Sequence, residues 1–145
     1  MKLVPKEKVL DIGCGTGFLF PHLSEKVGLV VGLDVSHVAL QEAKKRTKGF
    51  PNIFLVRADA DNTPFLDHFF DKVFAITVLQ NMPDPAKTIK EMKRTGKPQA
   101  TFALTGLKKK FTQDDYIKLL ESNQLKIVEL STNQQLKGYT AVCTN

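Results

Sequence analysis

Seven residues near the amino terminus, Asp11-Ile12-Gly13-Cys14-Gly15-Thr16-Gly17, carry the clearest chemical signal in the chain. Glycine at every second position lets a backbone turn lie against a ligand, and a helix opening just beyond it aims free amides at that ligand. A dinucleotide-binding turn would want its third glycine one residue later, where this chain has Phe18. Asp11 argues the same way, because a carboxylate before the turn would repel a pyrophosphate and suits a ligand carrying an ammonium group. Asp34 lies 21 residues after Gly13, at the end of the next apolar run. A carboxylate there can accept hydrogen bonds from both hydroxyls of a ribose.

Other chemistries find less support. Cys14 and Cys143 cannot build a metal cage alone, and His22, His37 and His68 show no ligand spacing. Both cysteines read as reduced, packed thiols. The net charge of +6 is concentrated: eight basic residues and a single acid, Glu91, lie between Ala86 and Lys110. The basic helix there is expected to point mostly to solvent. Lys108, Lys109 and Lys110 are expected in a loop at the carboxyl edge of the sheet, either as a solvated patch or as a surface that tracks RNA phosphates. An acidic protein partner is the third reading of the same charge. No apolar run reaches the roughly 18 residues of a membrane span, and residues 1–9 lack the apolar core of a signal peptide, so a cytoplasmic location is expected.

These residues need a scaffold, and 145 residues, 42 % of them hydrophobic, suffice for one domain spanning residues 1–145. Strand and helix signals alternate. Lys8 to Ile12 reads as a strand, Phe18 to Val27 as a helix with Pro21 in its first turn, and Leu29 to Leu33 as a strand covered on both faces. Ser36 should cap a helix from His37 to about Thr47, followed by a strand from Ile53 to Arg57. After a loop from Asn62 to Asp71, Lys72 to Leu79 reads as a fourth strand. Pro85 should start the basic helix, Gly96 and Pro98 should stop it, and a fifth strand is expected over Gln99 to Thr105. Thr112 with Asp115 forms a capping box, and Tyr116, Leu119 and Leu120 should face the core. Leu125 to Leu130 and Tyr139 to Thr144 read as an antiparallel hairpin. The pattern predicts an α/β fold, a Rossmann-like doubly wound sheet of seven strands with its ligand crevice at the strand carboxyl ends.

VLDIGCGTG (Val9 to Gly17), VVGLDVS (Val30 to Ser36), the Arg57 to Ala60 turn, Pro64-Phe65 with Phe70-Asp71, and VLQNMPDP (Val78 to Pro85) together resemble the ordered motifs of class I S-adenosylmethionine-dependent methyltransferases. The group containing the ubiquinone-pathway enzymes is the nearest in motif, and the likeness runs over nearly the whole chain. It implies S-adenosylmethionine as cofactor. By position, Asp11 and the backbone of Gly13, Cys14, Gly15, Thr16 and Gly17 would hold its methionine part, and Asp34 its ribose. Asp59 would meet the adenine amino group, with Asp61 as a substitute, and Ala60 would offer its amide to the ring. Val35 would lie on the adenine face, and Ile76 would line the methionine pocket.

The chain departs from that family in the segment after the fourth strand. Similar small-molecule enzymes often place a histidine where Gln80 and Asn81 stand, and neither amide can take a proton at neutral pH. His68 is the one titratable residue in a loop that could approach. The family's usual helix before the first strand has no counterpart in the eight residues before Val9, so the pocket is expected to be closed by the substrate itself, by a partner chain or by a further N-terminal segment. Two expectations follow: a methyltransferase acting on an unidentified acceptor, RNA or a partner-presented macromolecule among them, or a catalytically weak cofactor-binding subunit that acts through a partner protein. The four apolar residues Ile53 to Val56 on an expected sheet edge would offer a place for a protein partner or for self-association.

Overall fold

Strands β1 (Lys8–Ile12), β2 (Leu29–Asp34) and β3 (Ile53–Arg57) run parallel and in register, Val9 beside Val30 and Val30 beside Ile53. The structure is a computed structural model that describes residues 1–145. Strands β4 (Phe70–Ala75) and β5 (Gly96–Leu107) extend the parallel sheet on the other side of β1, and β6 (Lys126–Ser131) and β7 (Gly138–Thr144) close it antiparallel. The order is β3-β2-β1-β4-β5-β7-β6. The chain winds outward from β1 to β3 and then returns to the far side of β1. A crevice therefore opens above the carboxyl ends of β1 and β4, where the winding reverses.

Both faces of the sheet are covered, which explains the continuous apolar runs. On one face α1 (Phe20–Ser24) and α2 (His37–Arg46) bury Phe20, Leu23, Leu40 and Ala43 against Val9, Val30 and Ile53. On the other, α3 (Pro85–Thr95) and α4 (Gln113–Ser122) bury Ile89, Met92, Tyr116 and Leu120 against Leu10, Ile12, Val73, Phe102 and Leu104. The expected caps are present: the Ser36 hydroxyl accepts from Ala39 N (3.2 Å), and Thr112 Oγ1 accepts from Asp115 N (3.1 Å).

Four details correct the sequence reading. α1 is confined to Phe20–Ser24, because Gly17 takes a left-handed turn (φ +74°) and leaves Phe18 80 % exposed. The fourth strand starts at Phe70 and ends at Ala75; Val78 and Leu79 belong to the turn after it, Leu79 within a single 3-10 turn over Leu79–Asn81. Both are apolar because that turn is itself buried, which periodicity cannot separate from a strand. β5 follows α3 with no loop between them, and Pro98 lies inside it. Between Gly96 and Thr101 neither neighbour is in register with β5, so the missing amide of proline costs no ladder bond. The basic helix, finally, is only partly solvated: Lys93 Nζ donates to the carbonyls of Asn123 and Gln124 (2.9 and 3.1 Å), and Arg94 is bonded inward.

Candidate functional site

The glycine turn leaves β1 in a shape that only glycine takes without strain. Gly13 has φ +63°, and a Cβ there would stand 2.5 Å from Val78 Cγ2. Gly15 has φ +54° with open space on its Cα, so a side chain there would enter the crevice rather than strike the protein. Cys14 N donates to Leu33 O (2.9 Å), prolonging the β1–β2 pairing, and Gly15 N donates to Asp34 Oδ2 (2.8 Å). Ser36 N donates to the other Asp34 oxygen (2.8 Å). Two backbone amides thus lock the Asp34 carboxylate on the crevice side of β2 and leave further lone pairs free.

Asp11 is the unusual group. It is 3 % exposed, and no protein donor or cation pairs with its carboxylate. Burial, and then the charge of Asp34, push its pKa up to about 7. Burial, then the charge of Asp11 and after it that of Asp34, push the Cys14 thiol far up, so Cys14 is an inert packed thiol. A buried acid without a cation, next to a second carboxylate, is a hole for positive charge. Asp11, Gly13, Cys14, Gly15, Thr16, Ile76 and Thr77 line one cleft of about 330 Å³ together with Phe18 and Leu19. That volume lies within the usual range for small-ligand sites.

The remaining expected residues, Gly17, Asp34, Val35, Asp59 and Ala60 among them, do not line this cleft. Val35 is 66 % exposed beside Asp34, a surface on which a flat ring could lie. Asp59 bridges to Asn62, and its Oδ1 accepts from Asp61 N (2.9 Å). Ala60 is buried at the same turn. Asp61 is turned to α3, where its Oδ1 accepts the Thr88 hydroxyl (2.5 Å). His68 sits at the amino end of β4, its Nδ1 3.2 Å from Gly96 O. The expected approach of His68 is therefore corrected, because the crevice is at the opposite end of the parallel strands. Asn81 Nδ2 donates to Thr77 O (3.1 Å) and holds the turn, whereas both amide atoms of Gln80 are enclosed without a partner. Of the lysine loop, Lys108 donates to Asn133 O (2.8 Å) and lies over the Tyr139 ring, while Lys109 and Lys110 stay exposed.

Two site features escaped the sequence reading. Thr77 holds φ +64°, an outlying conformation for a β-branched residue, fixed by its amide donating to Thr105 Oγ1 (2.7 Å). No sequence signal marks a left-handed threonine. Thr77 also walls a second, smaller cleft with Thr105, Leu107, Leu136, Lys137 and Tyr139, so the two clefts share one residue.

Comparison with known proteins adds independent findings. The sequence model of the methyltransferase domain family matches residues 10–104. A demethylmenaquinone methyltransferase of Staphylococcus saprophyticus is 42 % identical over 101 residues, 68 % of this chain and 43 % of that protein. A second, from Staphylococcus haemolyticus, is 45 % identical over 94 residues, 63 % of this chain and 39 % of that protein. The chain spans about two-fifths of the length of these curated relatives. In fold it is similar to a SAM-dependent methyltransferase from Aquifex aeolicus, with a TM-score of 0.87 at 22 % identity over 98 % of this chain and 84 % of that one. A methyltransferase solved in complex with the Haloferax volcanii Trm112 methyltransferase activator gives 0.87 at 19 % identity, over 99 % and 84 %.

Proposed function

Because the chain belongs to the methyltransferase domain family, whose cofactor is S-adenosylmethionine, we propose that it transfers a methyl group from that cofactor to a quinol-type ring acceptor. The observation that carries the reading is Asp11, a buried carboxylate with no cation of its own beside a turn that a Cβ would fill. It fits a ligand with an ammonium group and does not fit a pyrophosphate. In this reading Asp11 and the amides of Gly13 to Gly17 hold the methionine part, and Asp34 holds the ribose hydroxyls. Asp59 takes the adenine amino group, the Ala60 amide and Val35 meet the ring, and Ile76 lines the methionine pocket.

When bound, the cofactor supplies a methyl group already activated by a sulfonium. The chain's residues then bind, align and exclude water. Thr77, held by Thr105 and Asn81, separates the two clefts and sets how closely an acceptor at Tyr139 can approach. Transfer would leave the demethylated cofactor and the methylated acceptor, the acceptor supplying the electron pair of the new bond and its displaced proton passing to water. Neither cleft offers a histidine, and Gln80 and Asn81 cannot take a proton. An acceptor that is electron-rich enough to attack without a protein base, as a quinol ring is, suits such a site. Its class follows the name of the Staphylococcus relatives. RNA is the weaker acceptor, since Lys93, Arg94 and Lys108 are spent within the protein. The test is radiolabelled methyl transfer into quinols reduced from a bacterial lipid extract, with RNA in parallel. Label in the quinol fraction is expected; label in RNA alone overturns the acceptor class.

A second reading, dependence on a protein partner, has its own observation. β3 is an edge strand, and Phe54 on it is 56 % exposed. Beside it a groove floored by Leu40 and Leu55 is rimmed by Lys44, Lys48 and Arg57. An acidic segment added as a strand fits this edge better than a second, equally basic copy. Leu55→Lys should then remove the partner and leave cofactor affinity intact; a monomer fully active alone refutes the dependence.

A further inference from the structure

Residues 58–69 connect β3 to β4 and carry the Asp59–Ala60 turn, yet their only bridge of strand type is the local pair Asp59–Asn62. What holds them is one face of α3. Thr88 Oγ1 donates to Asp61 Oδ1 (2.5 Å), and Asp61 N donates to Asp59 Oδ1 (2.9 Å), so the Asp59 carboxylate is oriented through a chain that begins on the helix. One turn further on, Glu91 Oε1 accepts both the amide and the hydroxyl of Thr63 (2.8 and 2.7 Å). Arg94 completes the set. Its guanidinium donates to Glu91 Oε2 (2.9 Å), Phe65 O (2.9 Å), Thr63 O (3.2 Å) and Asp67 Oδ1 (2.5 Å), using the planar fork that lysine lacks. Thr88 and Glu91 are three residues apart and share a stripe of the helix, while Ile89 and Met92 fill the core beneath it. At its other end the segment is tied to β2 by Ala58 N donating to Asp34 O (3.3 Å).

We propose that Thr88, Glu91 and Arg94 are positioning residues that clamp the Asp59 turn and thereby set the base specificity of the cofactor site. The inference rests on the assignment of the adenine amino group to Asp59. A carboxylate held in place accepts from the amino group of adenine and repels the carbonyl oxygen that replaces it in hypoxanthine. A loosened carboxylate can swing to solvent and loses that discrimination. An effect on stability alone would weaken all ligands of the site together and leave their ratio unchanged.

The experiment measures calorimetric affinities of S-adenosylhomocysteine and S-inosylhomocysteine for the wild-type chain, Arg94→Gln and Thr88→Val. The second variant is nearly isosteric, removes one hydroxyl, and keeps the test open if Arg94→Gln does not fold. The wild type is expected to prefer the adenine compound by about tenfold, the worth of a hydrogen bond to a charged group, and both variants to lose most of that preference. Wild-type discrimination kept within about twofold by both variants overturns the clamp. A wild type that binds both compounds equally overturns the adenine assignment, and the clamp with it.

Discussion

Asp11→Asn removes an ionisable group while keeping its shape, and the structure fixes both consequences in sign. In the free protein the Asp11 pKa rises from an ordinary 3.8 to about 7, burial being the larger cause. A raised acid binds its proton more tightly folded than unfolded, so stability falls as pH climbs from the lower value to the higher and then levels off. At 1.36 kcal/mol per unit, the cost of keeping this carboxylate at pH 8 is roughly 4 kcal/mol, against about 2 kcal/mol at pH 5. Asn does not titrate. The variant should therefore melt higher than the wild type by roughly 8 to 16 °C at pH 8, at about 2 to 4 °C per kcal/mol, and by about half as much at pH 5. Binding should move the opposite way, with affinity for S-adenosylmethionine falling at least about tenfold for the lost charged contact. Thermal melts of both proteins at the two pH values, followed by calorimetry, decide the matter. A variant less stable than wild type at pH 8, or a gap that does not widen with pH, would show that Asp11 carries no such buried charge.

Glu91 should behave inversely: the Arg94 guanidinium, with Thr63, holds it down at about 2 from an ordinary 4.5, so its contribution is present above 4.5 and lost as pH falls toward 2. Glu91→Gln should flatten that part of an acid-unfolding curve followed by circular dichroism. Gly13→Ala puts a Cβ 2.5 Å from Val78 at φ +63° and should cost about 1 to 3 kcal/mol in urea unfolding and weaken cofactor binding. Gln80→Leu removes two enclosed amide atoms that have no partner and should raise stability by about 1 to 3 kcal/mol. The pH profile of turnover should stay unchanged in the same variant, because no proton passes through that side chain.

The parts of this fold legible in the sequence are those decided locally. The glycine turn, the Ser36 and Thr112 caps and the short apolar strands β1 and β3 each follow from a few neighbouring residues. The winding of the sheet follows from the alternation of strands and helices, and with it the place of the crevice. What could not be read depends on contacts distant in sequence. Thr77 is left-handed because Thr105, 28 residues on, takes its amide. Arg94 lies in a helix that reads as a charged surface, yet its guanidinium serves Thr63 and Phe65 some 30 residues earlier. His68 has loop composition, but strand direction sends it to the wrong end of the sheet.

If Asp11 makes the turn a cation-accepting cofactor site, calorimetry of S-adenosylhomocysteine with the free chain at pH 7 will register it. With the Asp11 pKa raised to about 7, the arriving ammonium should expel a fraction of a proton, visible as a dependence of the binding heat on the ionisation enthalpy of the buffer. That release is expected in the wild type and not in Asp11→Asn, with NAD binding more weakly. Tight NAD binding, or S-adenosylhomocysteine binding with no proton released, would contradict that role of Asp11.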